Sequence, residues 1–178
     1  MLDPASIGMI VALVILIILS AFFSATETAF TSLNRIRLKN KADNGNKRAA
    51  LALRMADDYD RLLSTNLIGN NIVNISASTV GTVLFTKLFA EYGPIVSTVV
   101  LTIVILIFGE VSPKSLAKEN AESFAMLAAP VIRILMFILT PVNALFAQWK
   151  KLLTRIFRKS GRTAHPRASR DGCRPGRR

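Results

Sequence analysis

Ile107-Phe108-Gly109-Glu110-Val111-Ser112-Pro113-Lys114 decides how the rest of the chain is read. It closes a long apolar run, Ile95 to Phe108, with an acid, a proline and a lysine. An acid at membrane depth is expensive, so it points to a function facing a bundle interior or a watery cavity. Pro113 has no N–H, so in a helix the carbonyl four residues earlier, that of Gly109, loses its partner and a break is expected. In lipid a freed carbonyl must find another partner, and a cation is one candidate. Gly109 lets another backbone or an ion come close. The competing reading is a plain helix end at the interface, with Glu110 solvated and Pro113 a stop signal.

The surrounding sequence favours the first reading. The 178 residues are 51% hydrophobic, with a mean hydropathy of +0.41. Several apolar runs approach spanning length, which indicates an integral membrane protein of the all-α class. The net charge is +12. Residues 150–178 hold eleven Lys/Arg against the single acid Asp171, so that segment carries +10 of it. In a membrane protein such a segment suits anionic lipid headgroups, and no nucleic-acid motif accompanies it. The single cysteine, Cys173, excludes a disulfide framework or a cysteine metal site within one chain.

Outward from the opening stretch, three spans are expected, at about 6–30, 62–88 and 95–114. The first starts apolar, too long for a cleaved signal peptide. It ends in Ser24, Glu27 and Thr28, at i, i+3 and i+4 on one face. The second carries Gly69-Asn70-Asn71-Ile72-Val73-Asn74. Asn70 and Asn74 lie one turn apart, with Ser78 next along. Interhelical glue is the ordinary use of such amides, but three within five residues favour a ligand role. Between these spans, residues 33–61 read as a polar helical hairpin turning at Asp43-Asn44-Gly45-Asn46. Belt helices are expected over about 115–157, and a disordered basic tail over 158–178, whose abrupt composition suggests truncation or appended sequence.

Charge sets the orientation. The loop 31–66 has eight Lys/Arg and the loop 87–93 has one, which places the N-terminus outside and the C-terminus in the cytoplasm. A fourth span through 124–149 would carry the eleven basic residues outside, so this stretch is expected to be a broken helix against the inner surface.

Depth brings the polar groups together. Counted at 1.5 Å per residue, Ser24 lies on the order of 9 Å from the inner end of its span, Asn70 roughly 11 Å and Glu110 about 6–12 Å. Ser24, Asn70, Asn74 and Glu110 thus share one level, with the Gly109 carbonyl close by. An all-oxygen set suits Mg²⁺, Ca²⁺ or Mn²⁺ rather than zinc or copper. No Ser/His/Asp set, phosphate loop or HExxH occurs, and the sole histidine, His165, lies in the tail, so an enzyme is not expected.

Phe22-Phe23-Ser24-Ala25-Thr26-Glu27-Thr28-Ala29, Gly69-Asn70-Asn71-Ile72-Val73-Asn74 and Gly109-Glu110-Val111-Ser112-Pro113-Lys114, in this order and spacing, resemble the transmembrane domain of the CNNM/CorC family of Mg²⁺ transporters. The resemblance covers about residues 5–157. It implies a homodimer of three-span protomers in the plasma (inner) membrane, with a juxtamembrane belt. It implies an inward-facing cavity holding a dehydrated Mg²⁺ on Ser24, Asn70, Asn74, Glu110 and a backbone oxygen near Gly109. Glu27, Asn71, Pro113 and Lys114 would serve gating or support. Export of Mg²⁺, with Na⁺ as a coupling ion, is the implied activity. A sensor or scaffold regulating other transporters is the alternative. Family members usually continue into cytoplasmic CBS domains that bind ATP, and nothing in this chain matches those.

Overall fold

The structure, a computed structural model, describes residues 3–142 and Gln148. The expected belt beyond 142 and the basic tail at 158–178 therefore lie outside the described residues, apart from Gln148.

Among the described residues, seven α-helices and one π segment follow in order: α1 (Pro4–Ser32), α2 (Arg35–Asp43), α3 (Lys47–Asp57), α4 (Tyr59–Phe89), α5 (Gly93–Val104), a π-helix (Ile105–Val111), α6 (Ser112–Glu119) and α7 (Ala121–Ile138). The breaks have local causes. Asp3 caps α1 and accepts from the Ser6 N–H, with Pro4 just inside the helix where its missing N–H does no harm. Asn34 and Asn46 cap α2 and α3 in the same way. Between those two helices Gly45 takes φ +87°, a left-handed position suited to glycine. The polar hairpin expected at 33–61 is thus α2 and α3.

Among the described residues three stretches are long and apolar enough to cross a membrane: Pro4–Ser32, Tyr59–Glu119 and Ala121–Ile138. The middle one has 61 residues, and would measure about 90 Å if straight, roughly three hydrocarbon thicknesses. It instead folds back at the short 3₁₀ turn Ala90–Tyr92. Gly93 makes this possible, since a Cβ there would stand 2.3 Å from the Thr86 Cα. Together α4 and α5 form an antiparallel pair.

α1 is the central helix and packs against α4, α6, the π-helix and α7. Its C-terminal half, on the side the charge asymmetry assigns as inner, joins the main core, where Phe23, Phe30, Leu38, Leu62 and Ile132 are enclosed by buried alanines of α1, α3 and α7. Small side chains let helices approach closely, which is what holds helices together in lipid. Its outer half meets only a small cluster of Leu13, Ala77, Leu84 and Leu101. Outward-facing Ile7, Val11, Ile72, Ile95, Val99 and Ile103 are exposed and apolar, as a lipid-facing surface requires.

One expectation is corrected. The chain does not break at Pro113. It passes through a π-helix, in which the Ser112 N–H donates to the Ile107 carbonyl five residues back, and continues into α6 with Pro113 in its first turn. The register change from five-residue to four-residue spacing falls where the next donor would be Pro113, so no N–H is wasted. In the apolar segment after Glu122, α7 continues past Pro130 and ends at Ile138, with Leu139 as its C-cap.

Candidate cation site

The π-helix places Gly109 against α1. Gly109 is buried, and a Cβ on it would lie 3.0 Å from the Ser20 Oγ. A side chain here would push the two helices apart. Ser20 is itself 1% exposed. Its hydroxyl donates to Asn74 Oδ1 at 2.7 Å and lies 3.3 Å from Asn70 Oδ1. Two amide oxygens therefore converge on one hydroxyl that has a single proton to give. That is an oxygen-rich point with too few protons, which suits a hard cation.

Asn70, Asn74 and Gly109 are thus brought together as expected, but around Ser20. Ser20 was not among the expected ligands, although it is the one polar residue in the run from Ile7 to Phe23 and precedes Ser24 by one turn on the same face. Ser24 is buried one turn nearer the inner end of α1. Asn71 is exposed on another face of α4. Glu110 is half-buried and, with Asn74, lines a cleft of about 480 Å³ between α4 and α5.

Glu27 stands apart from these oxygens. Its carboxylate faces Lys114 across α1 and α6 at 3.9 Å, and both side chains are about two-fifths exposed. The pair fits support at the inner mouth rather than ion binding. Further inward, Lys41 bonds Glu122 at 3.1 Å and Arg35 bonds Asp57 at 3.1 Å. Exposed pairs like these contribute at most about 1 kcal/mol each, and they serve to orient α2 and α3.

A second buried amide was also missed. Asn66 donates from Nδ2 to the Phe23 carbonyl at 3.0 Å, which ties α4 to α1 one turn below Asn70, while its Oδ1 is buried without a hydrogen-bond partner. Among the described residues no three His, Cys, Asp or Glu side chains cluster as a metal site. The oxygens that meet at Ser20 are neutral, and Glu110 shares a cleft with Asn74.

Comparison with known proteins agrees with the motifs. The profile of the cyclin M transmembrane N-terminal domain, CNNM, matches residues 11–174. A UPF0053 protein of Haemophilus influenzae is 38% identical over 146 residues, which is 82% of this chain and 35% of that protein. The UPF0053 inner membrane protein YfjD of Escherichia coli is 38% identical over 138 residues, 78% of this chain and 32% of that one. A chloroplastic DUF21 domain-containing protein of Arabidopsis thaliana is 33% identical over 156 residues, covering 88% and 23%. The chain spans about a third of the length of the two bacterial relatives. This all-helical membrane chain belongs to the family of the cyclin M transmembrane N-terminal domain.

Proposed function

We propose that this chain is a Mg²⁺ transport domain that carries the ion outward across the plasma membrane. The observation that supports it best is the convergence of the Asn70 and Asn74 amide oxygens on Ser20, beside Gly109 and at the end of the cleft that Glu110 lines. Neutral oxygens orient the ion and Glu110 supplies the charge that offsets its desolvation. One carboxylate holds a divalent ion weakly enough to let it leave, as passage requires. Nothing in this scheme calls for catalysis. Na⁺ serves as the exchanged ion, and ATP acts only through domains outside this chain.

The topology we propose follows the basic asymmetry. α2 and α3 lie in the cytoplasm against anionic headgroups, and the 90–92 turn lies outside. α7 meets the length of a span, but a fourth pass would carry the basic C-terminal segment outside, so α7 is assigned to an inner-surface belt. Two copies pair through α4 and α5. Asn71, Ile75 and Thr79 are exposed at four-residue spacing on α4, and Thr98 is exposed on α5; mixed polar and β-branched faces of this kind are what helices in lipid bury against one another.

Calorimetry tests the binding. At about 4 Å and an effective dielectric near 20, the carboxylate interacts with each unit of ion charge by roughly 4 kcal/mol before desolvation. Glu110→Gln is expected to weaken Mg²⁺ binding at least about a hundredfold while the protein stays folded. Glu27→Gln is expected to leave affinity within about threefold and lower stability instead. Loss of binding only in Glu27→Gln would put the ion on the wrong helix. Efflux from sealed vesicles holding the full-length protein separates a transporter from a sensor that binds Mg²⁺ and moves none.

A further inference from the structure

The cleft that Glu110 and Asn74 line does not end at their level. It continues between α4 and α5 past Ser78 and Thr82 on one side and Thr98 and Ser97 on the other, toward the 90–92 turn. Asn74 to Thr82 is two turns, about 12 Å of helix. The cleft thus extends from the candidate site toward the hairpin end, the opposite direction from an inward-facing cavity.

The chemistry of its wall is one-sided. Thr82 gives its hydroxyl proton to the Ser78 carbonyl at 2.8 Å, and Thr98 gives its own to the Pro94 carbonyl at 2.8 Å. With the protons committed, these oxygens present lone pairs as acceptors. Such self-satisfied hydroxyls can also face lipid at little cost. Ser97 breaks that explanation. It is 0% exposed, and its hydroxyl has no hydrogen-bond partner. An unpaired buried hydroxyl costs on the order of 1–3 kcal/mol, and alanine would pack as well without that loss. Ser97 lines the cleft, which is where water would have to stand to pair that hydroxyl.

We propose that this cleft is a hydrated vestibule through which a divalent cation passes between the Glu110 site and the membrane face at the α4–α5 turn. The hydroxyl oxygens accept hydrogen bonds from the ion's water shell. Neutral oxygens cannot strip a divalent ion, which dehydrates reluctantly and keeps its waters unless charge replaces them. The waters of such a shell are donors, and acceptors are what this wall offers. About 480 Å³ holds roughly sixteen waters at about 30 Å³ each, enough for an ion with its inner shell and part of the next. The inference rests on the proposed transport reading. The lateral opening is the side assigned above to the second copy.

The test uses the full chain in sealed membranes, with Cys173→Ser as background. Thr98→Cys is nearly isosteric, Val99→Cys is its apolar-facing neighbour, and Glu91→Cys marks the turn. A membrane-impermeant cationic thiol reagent is expected to modify Thr98→Cys from the side that modifies Glu91→Cys, several-fold more slowly with millimolar Mg²⁺, and to spare Val99→Cys. An unreactive Thr98→Cys, one reached only from the other side, or equal reaction at 98 and 99 overturns the vestibule. The double variant Ser97→Ala, Thr98→Val gives the second readout, with Mg²⁺ affinity unchanged within about twofold and efflux about tenfold slower. A parallel loss of affinity would make these hydroxyls part of the binding site, and unchanged efflux would make them bystanders; either sinks the proposal. If wild type binds no Mg²⁺ while Thr98→Cys labels as expected but without protection, the transport reading fails and the cation route fails with it, leaving only a wet cleft.

Discussion

The two halves of the bundle are built differently. The inner half encloses Phe23, Phe30, Leu38, Leu62 and Ile132 among alanines from three helices, and ion pairs and the Asn66 amide tie its helices together. Among the described residues, the outer half has only a small buried apolar cluster of Leu13, Ala77, Leu84 and Leu101, and it holds the cleft. The oxygens around Ser20 sit at the seam. A cation site gains from that position. One side is held at fixed distances by a packed core, and the other can open or be covered without unfolding anything. The π-helix lies on the same seam, as such segments often do at functional sites.

The same substitution made on both sides should break or sharpen that contrast. A Cβ on Gly69 would stand 2.5 Å from two ring atoms of Phe23, which is itself buried in the inner core. The ring has nowhere to go, and overpacking of this kind costs about 1–3 kcal/mol. A Cβ on Gly81 would meet the Leu101 Cδ1 at 2.1 Å. Leu101 borders the cleft, so its methyl can swing aside, and alanine regains up to about 1 kcal/mol of helix propensity. Gly69→Ala is therefore expected to lower the detergent unfolding midpoint clearly, and Gly81→Ala to leave it nearly unchanged. Equal losses would mean that the outer half is packed as tightly as the inner.

The contrast also explains what the sequence could show. The apolar runs and the polar hairpin were legible because hydrophobic stretches and turn residues act locally; the caps at Asp3, Asn34 and Asn46 emerged only with the structure. Asn70, Asn74 and Gly109 were legible because amides and a glycine beside an acid are out of place in lipid. Ser20 was not, because one serine in a span commonly bonds its own backbone; only the neighbouring helices make it a meeting point. The π-helix was hidden for a similar reason. A proline inside a helix announces a lost hydrogen bond, but the packing of Gly109 against Ser20 decides whether the helix breaks or widens. Ser24 and Ser20 occupy one face a turn apart, and a depth estimate cannot choose between them.

A smaller effect is expected at the outer turn. Ala90 takes φ +48°, which an L side chain rarely adopts. Nothing in the loosely packed outer half compensates for it as a core would. Ala90→Gly should raise stability by about 1 kcal/mol, after the greater entropy of glycine in the unfolded chain is counted. A loss on substitution would show that the Ala90 methyl packs against something, which the contrast between the halves denies.

The smallest effect concerns the outer end of α1, where Asp3 is the cap. The Ser6 hydroxyl holds the Asp3 carboxyl below the ordinary aspartate range, the Ser6 backbone N–H adds to this, and Lys87 contributes less. Lys87 reaches Asp3 at 3.3 Å from the end of α4 and is the charged tie between the two helices there. A lowered value means the folded state holds fewer protons than the unfolded chain. The cap's stabilisation is therefore full above the ordinary value of about 3.9 and is lost as pH falls through the lowered one. Following the Asp3 carboxyl carbon by NMR on acidification should give a midpoint below that of aspartate in a peptide. Ser6→Ala should raise that midpoint more than Lys87→Gln, since Ser6 supplies the leading cause. The reverse order would make the long-range tie to α4 dominant, and the outer half would then be held by charge where the inner half is held by packing.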